Sequence, residues 1–129
     1  MEGPRILVVD DEPDVLAVLV DLFEAAGYSP RYTADSREAA RLLEMADFVV
    51  VVSNVLMPHL SGLQLLKLAK RRNPDTHVVL VTGDFSQEIA LEALNSGAFG
   101  ILRKPFNNEE LLAAVKEAIG RRSPPTTTG

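Results

Sequence analysis

The chain has 129 residues, 47% of them hydrophobic and 24% charged, which suits one globular domain that buries a core without disulfides or a structural metal. Its apolar residues fall in blocks too short to cross a membrane. The net charge of −5 comes with no basic cluster beyond Arg71-Arg72 and Arg121-Arg122, which argues against a nucleic-acid surface built from grouped cations; the absence of cysteine excludes disulfides, thiolate catalysis and cysteine-bound zinc.

The segment Met1 to Arg5 lacks the pattern of a secretory signal, so a cytoplasmic location is expected. Ile6–Val9 is a short, continuous apolar run, the pattern of a strand buried on both faces. A helix follows, with Pro13 near its start, Val15, Leu16, Leu19, Val20, Leu22, Phe23 and Ala26 on its apolar stripe, and Gly27 as its stop. Arg31–Thr33 reads as a flanking strand. Asp35 and Glu38 resemble a capping box before Ala39, Ala40, Leu42 and Leu43. Phe48–Val52 is the next strand, and Ser61 with Gln64 repeats the capping device before Leu65, Leu66, Leu68 and Ala69. Val78–Val81 is a third continuous strand. A helix from about Ser86 to Asn95 ends before Gly97, and Gly100–Arg103 is the fifth strand. The last helix opens at Asn107 or Asn108, with Glu109 and Glu110 complementing its dipole. After Arg122 periodicity is lost, so a domain over residues 1–121 and a tail or linker over 122–129 are expected.

Strict alternation of doubly buried strands with helices predicts an α/β fold: a doubly wound parallel sheet with helices on both faces and right-handed crossovers. Ligands in such folds collect at the carboxyl ends of the strands. There the sequence places Asp10-Asp11-Glu12 after strand one, Ser53-Asn54 at strand three, Thr82-Gly83 after strand four and Lys104-Pro105 after strand five.

These four motifs, in this order and covering about residues 5 to 120, resemble the signature of response-regulator receiver domains. The resemblance implies a flavodoxin-like sheet of order 2-1-3-4-5. It implies Mg²⁺ bound directly by Asp11, through water by Asp10, and by the backbone carbonyl of Leu56. Thr82 would bond a phosphoryl oxygen, and Lys104, before a cis proline, would pair with phosphoryl oxygen or the acidic cluster. The phosphoryl donor would be a sensor histidine kinase or phosphotransfer protein, and the output would reach an effector domain or protein, with a homodimer possible. Such a domain is a signalling switch and turns over no separate substrate.

Two positions depart from the family pattern. Counting back from Pro58, with Gly62 shortly after, puts the phosphoacceptor at Asn54 where the family has aspartate. An amide is a poor nucleophile because its lone pair is delocalised, and its loss of charge predicts weakened Mg²⁺ binding, with Asn54 left as a weak oxygen ligand at most. Ile101 stands where most relatives carry an aromatic residue that moves with the threonine.

Each residue also has a plainer use: the acidic triplet as a cap for the first helix, Thr82 as a strand end, Lys104 as a surface charge. His59 reads as loop surface, His77 as a strand-edge residue, and Met45 and Met57 as packing. Three functions follow: a receiver phosphorylatable in its native form, with Asn54 an engineered replacement that holds it unphosphorylated, a natural pseudo-receiver controlled by partner binding, and a metal-dependent phosphatase with an aspartyl nucleophile. Ser53-Asn54 lacks the carboxylate the last requires.

Overall fold

Valine- and leucine-rich runs with no polar alternation have only one way to satisfy their backbones away from water, which is pairing on both sides within a sheet covered above and below. The computed structural model describes residues 3–121; the tail expected at 122–129 lies outside the described residues. Its elements are β1 (Ile6–Val9), α1 (Pro13–Ala25), β2 (Arg31–Thr33), α2 (Ser36–Met45), β3 (Val50–Asn54), α3 (Gly62–Arg72), β4 (His77–Thr82), α4 (Gln87–Asn95), β5 (Gly100–Arg103) and α5 (Asn108–Gly120). All pairings are parallel and the strand order is β2-β1-β3-β4-β5, the flavodoxin-like order expected from the resemblance. No helix among the described residues is long and apolar enough to cross a membrane.

The two-residue period of the strands divides the core into two layers. Ile6, Val8, Val50, Val52, Val79 and Val81 face α1 and α5, where they meet Leu16, Leu19, Phe23, Leu111 and Val115. Leu7, Val9, Val51, Val78 and Leu80 face the other way, onto Ala39, Leu43, Leu65, Leu66 and Ala93 of α2, α3 and α4. With its tips held between two packed layers, the sheet sets the separation of anything those tips carry.

Three local expectations change. The third strand lies two residues later than its apolar run suggests, because Phe48 and Val49 are part of the hydrophobic packing while the ladder itself continues through the buried polar pair Ser53 and Asn54. Apolarity marks burial, not pairing. At α2 the capping box is half made: Asp35 accepts from the Arg37 amide at 2.8 Å, but Glu38 turns to accept from the Thr33 hydroxyl at 2.6 Å, since a buried hydroxyl needs an acceptor. Ser61 and Gln64 complete theirs in both directions, at 3.1 and 2.9 Å. Met45, expected to pack, is 76% exposed at the end of α2, whereas Met57 does pack against the α2–α3 layer.

Two glycines are required by geometry. Gly27 ends α1 with φ of +97°, a conformation side chains disfavour. Gly62 opens α3 directly beneath the end of β3: its N–H donates to the Val55 carbonyl at 2.8 Å, and a Cβ there would overlap the Asn54 carbonyl oxygen and crowd the Val55 Cα at 3.0 Å. Gly62→Ala should therefore lower unfolding free energy in urea by about 1–3 kcal/mol. Gly120→Ala, in a helix with open space around the new methyl, should raise it by roughly 0.5–1 kcal/mol. Equal effects at the two positions would contradict this account of the β3–α3 junction.

Candidate functional site

The registers Val9↔Ser53 and Asn54↔Val81 align β1, β3 and β4 so that their carboxyl ends share one rim. Thr82↔Arg103 brings β5 to the same rim. Beyond these ends the chain carries Asp10, Asp11, Asn54, Thr82 and Lys104 along that rim, where Asn54 bonds Asp11, Lys104 bonds Asp10 and the Lys104 N–H bonds the Thr82 carbonyl. Asp10 and Thr82 have no exposed surface and Asn54 is 6% exposed.

Among the described residues no buried side-chain polar atom lacks a partner. Asp10 Oδ1 accepts from the Glu12 N–H at 2.9 Å, and its Oδ2 accepts from Lys104 Nζ at 3.0 Å. Lys104 also donates to Glu12 Oε1 at 3.3 Å. The Asn54 carboxamide donates twice through Nδ2, to Asp11 Oδ1 at 3.0 Å and to the Leu56 carbonyl at 3.0 Å. Thr82 Oγ1 accepts from the Asp84 N–H at 3.0 Å. The Lys104–Pro105 peptide is cis. Glu12 stands at the N-cap of α1 without a side-chain capping bond, so the acidic triplet does not serve as the cap that its position allows.

Burial pushes the Asp10 carboxyl above the usual carboxylate value, and the Glu12 amide and the Lys104 ammonium work against that rise. The pair is held in place because Lys104 is itself only 16% exposed. Asp11 and Leu56, the other two oxygen donors that the resemblance assigns to Mg²⁺, both face the Asn54 NH₂. Among the described residues no group of three His, Asp or Glu side chains is disposed to hold a metal ion. As arranged, this donor set does not fit the cation.

A sequence profile described as "Response regulator receiver domain" matches residues 6–116. The chain belongs to the response regulator receiver domain family. This receiver domain is 33% identical over 124 residues to the transcriptional regulatory protein TcrA of Mycobacterium tuberculosis, a match covering 96% of this chain and 49% of TcrA. It is 30% identical to a receiver domain protein (CheY-like) of Methanospirillum hungatei JF-1, whose crystal structure superposes with a TM-score of 0.88 over 92% of this chain and 95% of that one. The beryllofluoride-activated NtrC4 receiver domain dimer is 35% identical, with a TM-score of 0.86 over 92% and 98% of the two chains. The chain spans about a quarter to half of the length of the curated relatives it matches. Receiver domains are the signalling modules of two-component systems, and this receiver is a phosphorelay signal-transduction domain of that kind.

Other features of the receiver carry no distinct sequence signal. Ser36, the first residue of α2, donates to the Pro58 carbonyl at 2.8 Å and accepts from the Leu60 N–H at 3.0 Å, tying the loop after Asn54 to α2. A lone serine at a helix start announces nothing of this. His59 in that loop takes φ of +73°, and the Glu12–Lys104 contact unites two motifs that the sequence keeps apart. His77 opens β4 as expected, its ring 4.9 Å from that of Phe99 and its Nε2 3.1 Å from the Arg121 carbonyl.

The raised pKa of Asp10 fixes a sign. The native carboxyl binds its proton more tightly than the unfolded one, whose pKa is about 3.9, so stability is lost as pH rises through the interval between the two values. Asp10→Asn removes this dependence; its unfolding free energy relative to the unaltered protein should improve as pH rises from about 4, read by urea titrations at several pH values. Lys104→Met leaves Asp10 buried with no cation and should cost about 3 kcal/mol at pH 7. A pH-independent difference for the first variant would contradict the burial of an ionisable Asp10.

Proposed function

We propose that position 54 is the phosphoacceptor site of this receiver, with Lys104 and Thr82 as its phosphoryl-binding groups, and that the chain with Asn54 does not take phosphate in the usual way. The supporting observation is the meeting of residues remote in sequence: Asn54 bonds Asp11, and Lys104 bonds Asp10, within one hollow at the strand tips.

With aspartate at 54, a carboxylate oxygen would attack the phosphorus of a phosphohistidine on a sensor kinase or phosphotransfer protein. An O–P bond forms as the N–P bond breaks, and the imidazole leaves. Lys104 would offset charge on the phosphoryl oxygens and the Thr82 hydroxyl would donate to one of them. The Asn54 amide has no comparable nucleophilic lone pair. Affinity for Mg²⁺ is reduced with it, because one formal negative charge is gone from the hollow. We place the domain in the cytoplasm, and in a longer protein its output would pass to an effector domain or a separate partner.

Thr82 couples the hollow to the output face through β4 and β5. On that face α4 exposes Leu91 and Leu94, at 51% and 63%, an i, i+3 pair suited to a partner surface or a second receiver. Ile101 of β5 is half-buried against the core layer beneath α3 and α4, so an aromatic swing at this position is replaced by a fixed aliphatic contact. Phosphorylation at such a domain biases two states by about 1–3 kcal/mol.

The test is to make Asn54→Asp and incubate both proteins with Mg²⁺ and a small phosphodonor such as acetyl phosphate. Acid-labile phosphoryl incorporation should appear in the aspartate protein alone. Labelling of the Asn54 protein would mean that another residue is the acceptor; labelling of neither would favour a pseudo-receiver that works by partner binding.

A further inference from the structure

The Asn54 amide stands where its two hydrogens bridge the side chain of Asp11 and the backbone of Leu56, and that juxtaposition suggests more than a missing nucleophile. We propose that the Asn54 carboxamide is a built-in substitute for the divalent cation of the pocket: it holds Asp11 and the Leu56 carbonyl together by hydrogen bonds and so excludes Mg²⁺ by competition. The proposal rests on position 54 being the acceptor site, and it differs in kind from a loss of affinity through lost charge.

Chemistry determines which way the amide lies. With Nδ2 toward Asp11 and Leu56, each acceptor receives one N–H at 3.0 Å. Turned over, Oδ1 would face two oxygens that carry no hydrogen, and three acceptors would share no donor. The NH₂ group therefore has the polarity of a cation and points its two hydrogens in two directions, as a bridging ion would direct two of its bonds. It differs from Mg²⁺ in needing no octahedral shell and shedding no tightly held water.

The remaining charges fit that arrangement. Lys104 faces both Asp10 and Glu12, at 3.0 and 3.3 Å, which leaves Asp11 as the carboxylate served by the amide. No buried side-chain nitrogen or oxygen among the described residues lacks a hydrogen-bond partner. A cation entering the hollow would break two existing hydrogen bonds, one of them to a charged carboxylate, and rotate Asn54 in a site with little room. Each such bond resists displacement more strongly than its net contribution to folding would suggest, because the freed amide would remain buried.

Asn54→Ala separates competition from charge. It keeps the formal charge of the hollow and removes the amide donor together with its oxygen, so tighter binding by the alanine protein cannot come from a gained ligand. Mg²⁺ titrated by isothermal calorimetry, with thermal unfolding followed in parallel, should show little binding to the Asn54 protein. The alanine variant should bind at least about tenfold more tightly, the equivalent of one charged hydrogen bond, and its Tm should rise with Mg²⁺ while that of the Asn54 protein stays flat. Asn54→Asp, which also frees Asp11 and Leu56, should respond at least as strongly and serves as the second comparison if the alanine protein does not fold. If the Asn54 protein binds Mg²⁺ as well as the alanine or aspartate variant, the substitute-cation proposal is overturned while the acceptor assignment stands. If the aspartate protein is also indifferent to Mg²⁺, both are overturned, because no cation position exists at this rim.

Discussion

Asp10 lies wholly inside the protein and carries a carboxylate, and the rim of the sheet is arranged around compensating it. An isolated buried charge is costly, so it persists only with a cation and hydrogen bonds aimed at it. The cation is Lys104, supplied from beyond β5 although β3 and β4 stand between β5 and β1 in the sheet. Their ion pair therefore spans the sheet edge and ties its far strand to the first. The Lys104 N–H donates to the Thr82 carbonyl at 2.8 Å, so the segment carrying the ammonium is anchored to β4 as well. Beside that pair, Asn54 is held separately by its own bonds to Asp11 and the Leu56 carbonyl.

This rim joins folding to function through the two core layers. Valines that alternate between them hold the strand tips level, and the tips hold polar side chains that could not otherwise stay within 3 Å or so of one another. Gly62 adds the last constraint by letting α3 begin against the backbone of Asn54 and Val55. Ser36 adds a tether from α2 to the loop that follows. A receiver whose signal is a change at one side chain needs a frame that does not shift when that side chain changes, and such a frame consists of packed strands and capped helices rather than loops.

Much of this is legible in the residues themselves. Continuous apolar runs identify doubly buried strands, Pro13, Gly27, Ser61 and Asn107 mark helix ends, and the order of motifs places Asp10, Asp11, Asn54, Thr82 and Lys104 together. The misjudged places share a cause. Phe48 and Val49 are apolar for packing, so the β3 ladder is displaced toward Ser53 and Asn54; Glu38 has the right spacing for a capping box but a nearer hydroxyl claims it; Met45 sits on the solvent side of the last turn of α2, where an apolar residue is tolerated without being buried. Spacing along the chain specifies which contacts are possible, and competition among neighbours in space decides between them. The direction of the Asn54 amide belongs to that second class, since only the positions of Asp11 and the Leu56 carbonyl determine that nitrogen faces them.

The central claim is that the Asn54 carboxamide is locked by two hydrogen bonds, to Asp11 Oδ1 and to the Leu56 carbonyl. Solution NMR reads this directly from the Asn54 side-chain NH₂. Proton shifts displaced from those of an exposed asparagine, slow exchange with water and a through-hydrogen-bond coupling from Nδ2 to the Leu56 carbonyl carbon are the predicted result; rapid exchange with water, exposed-asparagine shifts and no such coupling would contradict it.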